Sequence, residues 1–157
     1  MSGFILDLAT YPKGASQVHL ESEAADLGLP IEQWPWKIHG DITVEVSGEQ
    51  VSVRGRLATV AQLECARCLR DFELPLRTPF EAYAQRSGTG RRPEDEADLE
   101  RDSYMLFHDG RRLDLRDQAR EALLLEIPMA PHCRAECQGL CPQCGADLNE
   151  GPCGCPR

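Results

Sequence analysis

WKIHGDITVEVSGEQVSVRGRL, residues 36–57, decides the fold. Ile42, Val44 and Val46 alternate with polar residues, Ser47-Gly48-Glu49 makes a turn, and Val51, Val53 and Leu57 mark a returning strand. A period of two on both sides of a tight turn predicts an antiparallel hairpin with one buried face. Gly55, inside the return, reads as a bulge.

Working outward, ATVAQLEC (residues 58–65) reads as a further strand running into Cys65. FELPLRTPFEAYAQR (72–86) resumes extended structure but is interrupted by Pro75 and Pro79, so it lies at an edge or bends. Toward the N-terminus, Phe4-Ile5-Leu6 and Val18-His19-Leu20 are short strands around a turn at Pro12 to Gly14, and Trp34-Pro35-Trp36 closes a mixed segment. Toward the C-terminus, SGTGRRPEDEADLERD (87–102) has almost no apolar content and is expected to be an exposed, flexible loop. SYMLFH is a short strand. A helix is expected from about Leu115 to Ile127, capped by Asp114, with Asp117 near its positive end. Leu115, Ala119, Ala122, Leu123 and Ile127 fall on one stripe, and Pro128 and Pro131 stop the helix. The expected class is α+β: an antiparallel β-sheet or partly open barrel packed against one main helix, with a cysteine-rich, zinc-binding C-terminal tail. Residues 1–131 form the core domain, and 132–157 the tail packed on it.

The chain has 157 residues, 41% hydrophobic, enough for one real core. No apolar run is long enough to span a bilayer, and the start, with Asp7 and no basic segment, is not a secretory signal. A cytoplasmic location is expected, where clustered cysteines bind metal more often than they form disulfides. The net charge of −9 is unevenly spread: −6 over residues 1–53, +4 over 54–92, −6 over 93–131 and −1 over 132–157. An acidic whole repels a nucleic-acid backbone at long range. The segment Arg54 to Arg92 is the one place where a local basic surface could form. Aromatics, at 6%, are too scarce to suggest a platform for stacked bases.

Five of the eight cysteines stand in CQGLCPQCGADLNEGPCGC, residues 137–155. Cys65 and Cys68 form one CxxC pair, Cys141 and Cys144 another. A tight turn between such thiols lets both sulfurs face one ion at about 2.3 Å, and a glycine after the second relieves the backbone. Gly145 fills that place in the second pair; Leu69 occupies it in the first, which makes that knuckle less ideal. Cys141, Cys144, Cys153 and Cys155 supply one tetrad of thiolates, and Cys65, Cys68, Cys133 and Cys137 a second. Cys137 and Cys141 could trade places between sites, and His132 could stand in for a sulfur. Two structural zinc ions are the expected cofactor, since four thiolates leave no open position for substrate. The competing chemistry is thiol exchange, as in a thiol oxidoreductase or redox sensor. Thioredoxin-like CxxC motifs, however, open a helix in a βαβ unit, whereas Cys65 ends an antiparallel strand. No phosphate loop or metal-hydrolase pair is present, and His19, His39, His108 and His132 are scattered, each read as an ordinary surface or core residue. The chain is not expected to be an enzyme.

LECARCLRDF in a β-rich front half, then LDLRDQAREALLLEIPMAPHC, CQGLCPQCGADLN and CGC, together closely resemble the YceD family. The resemblance runs from about Ile38 to Cys155. It implies a role in large-subunit rRNA accumulation and in biogenesis of the large ribosomal subunit. The partner it implies is large-subunit rRNA or a large-subunit ribosomal protein, with no membrane and no small-molecule substrate. Arg54 and Arg56, two apart on one strand face, with Arg67, Arg70 and Arg77, are the candidate partner-binding residues.

Overall fold

A computed structural model describes residues 3–88, 94–97 and 105–156. The hairpin read from residues 36–57 is its centre. Strand β3 (Ile38–Ser47) turns through Gly48-Glu49 into β4 (Gln50–Glu64), with Ser47 opposite Gln50 and Val44 opposite Val53. β4 absorbs the stretch expected as a separate strand and runs 15 residues without a break. β5 (Asp71–Arg86) returns along its whole length, from Glu64 opposite Asp71 to Gln50 opposite Gln85. β2 (Gly14–Ser22) pairs antiparallel with β3, and β6 (Met105–His108) adds to β5. The sheet order is β2-β3-β4-β5-β6, so it stays open with β2 and β6 at its edges. A two-stranded ladder joins β1 (Ile5–Asp7) to β7 (Arg112–Asp114).

Three sequence expectations change here. Gly55 is not in a bulge: it pairs in unbroken register with Ile42 on one side and Phe80 on the other. A Cβ at this position would lie 2.1 Å from the Asp41 carbonyl oxygen, so glycine is required by the close approach of β3. Pro75 and Pro79 do not break β5, which passes through both, opposite Val60 and Arg56, though the expected edge position holds for Asp71–Ala82 among the described residues. A ladder tolerates proline where its nitrogen faces an open side, and among the described residues β6 covers only Tyr83–Arg86. Finally, β6 runs parallel to β5, not antiparallel. Parallel neighbours need a long connection, and residues 87–104 supply it. Most of the expected acidic loop, and the start of SYMLFH, lie outside the described residues. Within that segment Glu96 is 7% exposed, its carboxylate accepting from the Ser87 hydroxyl and the Gly88 amide.

One sheet face is buried. Leu20, Ile42, Val44, Val53, Leu57, Leu76 and Phe80 meet Phe4 and Leu6 of the N-terminal segment, Leu27, Trp34 and the helix α1 (Arg116–Glu126). Phe4 meets Phe80 edge to face, ring centroids 6.5 Å apart. Leu115, Ala119 and Leu123 are fully buried and Ala122 and Ile127 partly so, as the stripe requires, while Leu125 points outward. An 11-residue helix is too short to hold alone. Burying each leucine contributes about 1.5–3 kcal/mol and fixes it to the sheet. Asp114 accepts the Arg116 amide at 3.0 Å and holds its guanidinium, so the acid one place before the N-cap Leu115 starts the helix.

Candidate metal centres in the tail

β4 and β5 overrun the core at their far end, and the turn between them carries Cys65 and Cys68. Leu69 N donates to Cys65 O at 2.9 Å, and Arg67 N donates to Cys65 Sγ at 3.4 Å. The second knuckle repeats the turn, with Gly145 N donating to Cys141 O at 2.8 Å. The residue after the second cysteine takes positive φ in both: 75° at Gly145, 62° at Leu69. Leu69 is the one non-glycine residue among those described with positive φ. The left-handed conformation costs a side-chain-bearing residue about 1–2 kcal/mol, the physical content of the less ideal knuckle.

The chain leaves α1 and crosses back to the first knuckle, where Ala66 N donates to Pro131 O at 2.7 Å. This brings Cys133 and Cys137 onto the first CxxC pair. Cys65 Sγ lies 3.7 Å from Cys137 Sγ, and Cys68 Sγ lies 3.7 Å from Cys133 Sγ. Four sulfurs at 2.3 Å from a central ion stand about 3.8 Å apart along each edge of the tetrahedron. A covalent bridge would need about 2.05 Å, and all eight cysteines are free. Cys141, Cys144, Cys153 and Cys155 form the second group, and within each group the sulfurs lie within 4.8 Å of one another. The tetrads are those the spacing suggested, without exchange of Cys137 and Cys141, and His132 belongs to neither. The proximal tetrad is the more buried, with Cys65, Cys68 and Cys137 packed beside Phe72 and Leu140. In the distal tetrad Cys144 is exposed.

Donors around the sulfurs prepare them for a cation. Burial pushes the Cys65 thiol up, but amide groups directed at it outweigh this and bring it down to about 5. The Cys144 and Gln143 amides hold Cys141 down at about 6. Their neighbours go the other way: burial and three adjoining thiols push Cys133 up to about 12, and Cys144 and the remaining cysteines push Cys155 up to about 11. Each tetrad thus sets thiols that ionise readily beside others that resist, the repulsion a bound cation removes. A divalent ion among four thiolates still leaves two negative charges. Asn149 answers part of this by donating to Cys137 Sγ at 3.4 Å, which holds that thiol below its ordinary value. Arg67 donates to the Cys137 carbonyl at 3.0 Å. Neither role is visible in the sequence, where Asn149 and Arg67 lie far apart.

The two lobes are tied together. Leu140 N donates to Arg67 O and Leu148 N to Gly139 O. Arg70 Nη2 donates to Asp147 Oδ2 at 2.9 Å and lies 3.8 Å from Glu150. The five candidate arginines therefore fall into two groups. Arg67 and Arg70 link the first knuckle to the tail. Arg54, Arg56 and Arg77 share the exposed face of β4 and β5. Arg54 donates to the Tyr83 hydroxyl at 3.1 Å, lies over that ring and pairs across the sheet with Glu81, while Arg56 stands opposite Asp41. The histidines are less scattered than the sequence implied. His108 is buried, bonded to Glu49 O and accepting from Gly110 N, whereas His19 and His39 meet on the outer face of β2 and β3.

Two sulfur-only tetrads on the end of an open sheet define a small α+β protein whose tail carries cysteine sets positioned to hold metal ions. Comparison with known proteins places it further: the chain belongs to the family of the large ribosomal RNA subunit accumulation protein YceD, which matches residues 53–157. It is 31% identical over 153 residues to an uncharacterized protein of Mycobacterium tuberculosis, covering 96% of this chain and 67% of the relative, and equally to one of Mycobacterium bovis. An uncharacterized protein of Mycobacterium leprae is 33% identical over 126 residues, 78% of this chain and 54% of the relative. No solved structure matches the chain. Among the described residues no helix is long and apolar enough to cross a membrane.

Proposed function

We propose that this protein is a non-enzymatic, zinc-organised cytoplasmic factor that supports accumulation of large-subunit rRNA, and so biogenesis of the large ribosomal subunit. It acts by holding a basic large-subunit ribosomal protein. The observation that carries the structural role of the metal is the 3.7 Å sulfur spacing within a closed set of four. Such a site has no vacant position at which to activate water or bind substrate. The residues that would hold zinc are Cys65, Cys68, Cys133 and Cys137 in one site, and Cys141, Cys144, Cys153 and Cys155 in the other. Metal supplies the ordering that a tail with few large apolar side chains lacks, roughly 10 kcal/mol for a structural site.

The family description points to rRNA, and the electrostatics favour a protein as the direct contact. Arg67 and Arg70 are engaged within the tail. Arg54 is flanked by Glu81 and Glu45, in a chain of net charge −9. The groove between β5 and α1 is lined by Glu81, Glu121 and Glu126 around Leu125, with no basic side chain. An acidic, partly apolar surface suits a basic protein better than a phosphate backbone.

Affinity capture from cells with and without ribonuclease tests this reading. The expected result is a large-subunit ribosomal protein retained after RNA digestion, and two zinc ions per chain in the captured material. Salt-sensitive binding of the purified protein to naked large-subunit rRNA, lost on reversing Arg54 and Arg56 to glutamate, would overturn the choice of partner. A metal-free chain whose thiols cycle between reduced and oxidised forms would overturn the structural role of the cysteines in favour of redox chemistry.

A further inference from the structure

Besides the two tetrads, one cluster of metal-ligating side chains stands among the described residues, on the outer face of the sheet and outside the family match of residues 53–157. His19 and Glu21 lie two apart on β2, so they share a face. The register sets Glu21 opposite His39 and His19 opposite Asp41 on β3. The ligand atoms of His19, Glu21 and His39 all lie within 4.8 Å of one another, and the imidazole rings stack with centroids 5.7 Å apart.

The surroundings of each group suit a ligand. Asp41 Oδ1 lies 2.7 Å from His19 Nδ1. A carboxylate there takes the Nδ1 proton as its hydrogen-bond donor, which fixes the tautomer and leaves the Nε2 lone pair for an ion. Glu21 divides its oxygens: Oε1 accepts from Lys37, while Oε2 faces His39 Nδ1 at 3.8 Å.

We propose that His19, His39 and Glu21 form a third metal site, for a divalent transition ion such as zinc, with Asp41 positioning His19. Two imidazoles and a carboxylate are a donor set for zinc, nickel or copper rather than for calcium or magnesium. The site differs in kind from the tetrads. It is exposed, it carries nitrogen and oxygen donors, and three protein ligands leave a coordination position for water or an outside ligand. Its ion exchanges with solution, whereas the thiolate ions are locked in. Lys37 is the built-in competitor, since its ammonium draws Glu21 away from the imidazoles.

The test uses the full chain, saturated with zinc and then freed of loosely held metal. Zinc ions are added back under calorimetry while the histidine ring resonances are followed by NMR. The wild-type chain should take up one ion more than a His19→Gln/His39→Gln chain, and the His19 and His39 resonances should shift while those of His108 and His132 stay. Both side chains are about half exposed, at 56% and 45%, so the double variant should fold. Asp41→Asn should weaken the added ion about tenfold, and Lys37→Met should tighten it several-fold. The comparison is a difference between two chains, so it holds whatever the cysteines contain. Equal uptake and affinity in wild type and double variant, or a shift at His132 in place of His19 and His39, would overturn the proposal.

Discussion

Leu69 and Gly145 occupy equivalent places in two versions of one turn, so substituting each measures the same quantity with opposite sign. A Cβ at Gly145 would meet no atom within 4 Å, so Gly145→Ala adds backbone strain and nothing else. That strain is about 1–2 kcal/mol for a left-handed residue, offset by the 0.5–1 kcal/mol that glycine loses in chain entropy on folding. The net cost should be roughly 0.5–1 kcal/mol, a two- to five-fold loss in zinc affinity at the distal tetrad. At Leu69 the clean comparison is between two variants, Leu69→Ala and Leu69→Gly. Both give up the side chain, which is already 56% exposed. The glycine chain should exceed the alanine chain by the same 0.5–1 kcal/mol, reversing the usual order of the two residues. Competition against a chelator of known affinity, read separately at each tetrad, provides the measurement. A Leu69→Gly chain that binds zinc less tightly than Leu69→Ala would refute the reasoning, because the positive φ at 69 would then carry no strain.

Cys144→Ser should open the distal lobe alone: limited proteolysis should cut within residues 142–156 while the sheet, α1 and the proximal tetrad stay protected. Gly55→Ala should destabilise the core by about 2 kcal/mol or more in denaturant unfolding, since its methyl group would collide with β3 backbone at 2.1 Å. Arg116 holds the Asp114 carboxyl below the usual range. The stabilisation from that carboxylate is present above the ordinary aspartate value near 3.9 and disappears as pH falls through the lowered one. Asp114→Asn should therefore be less stable than wild type at neutral pH and nearly equal to it at the acid end, as followed by helical circular dichroism.

How much of this was legible in the sequence depended on the range of the cause. The hairpin of residues 36–57 was readable because a period of two and a tight turn are local facts. So was the helix, whose stripe and flanking prolines lie within a few residues. The direction of β6 was not, because it is set by the connection before it, and a polar segment carries no sign of where it returns. Gly55 was misread for a related reason: a glycine in a strand marks either a bulge or a close approach, and only the neighbouring strand tells which. The division of the cysteines was legible because CxxC spacing fixes the pairs and eight thiols leave few ways to complete two sets of four. Which groups steady Cys137 was not, since Asn149 reaches its sulfur and Arg67 its carbonyl across the fold. The meeting of His19 and His39 also waited on the register of β2 against β3.

Pro75 and Pro79 have a consequence for the company this protein can keep. From Asp71 to Ala82, β5 has a described neighbour on one side only. A bare strand of that length is a template on which a stray extended peptide, or a second copy, could lengthen the sheet. Such an intruder needs an amide to bond at every second position, and at 75 and 79 it finds a ring with no hydrogen to give. The long side of the sheet is therefore closed to backbone pairing. Whatever this protein grips on that side, it must grip through its side chains, and half-folded chains crowding past should slide off that edge.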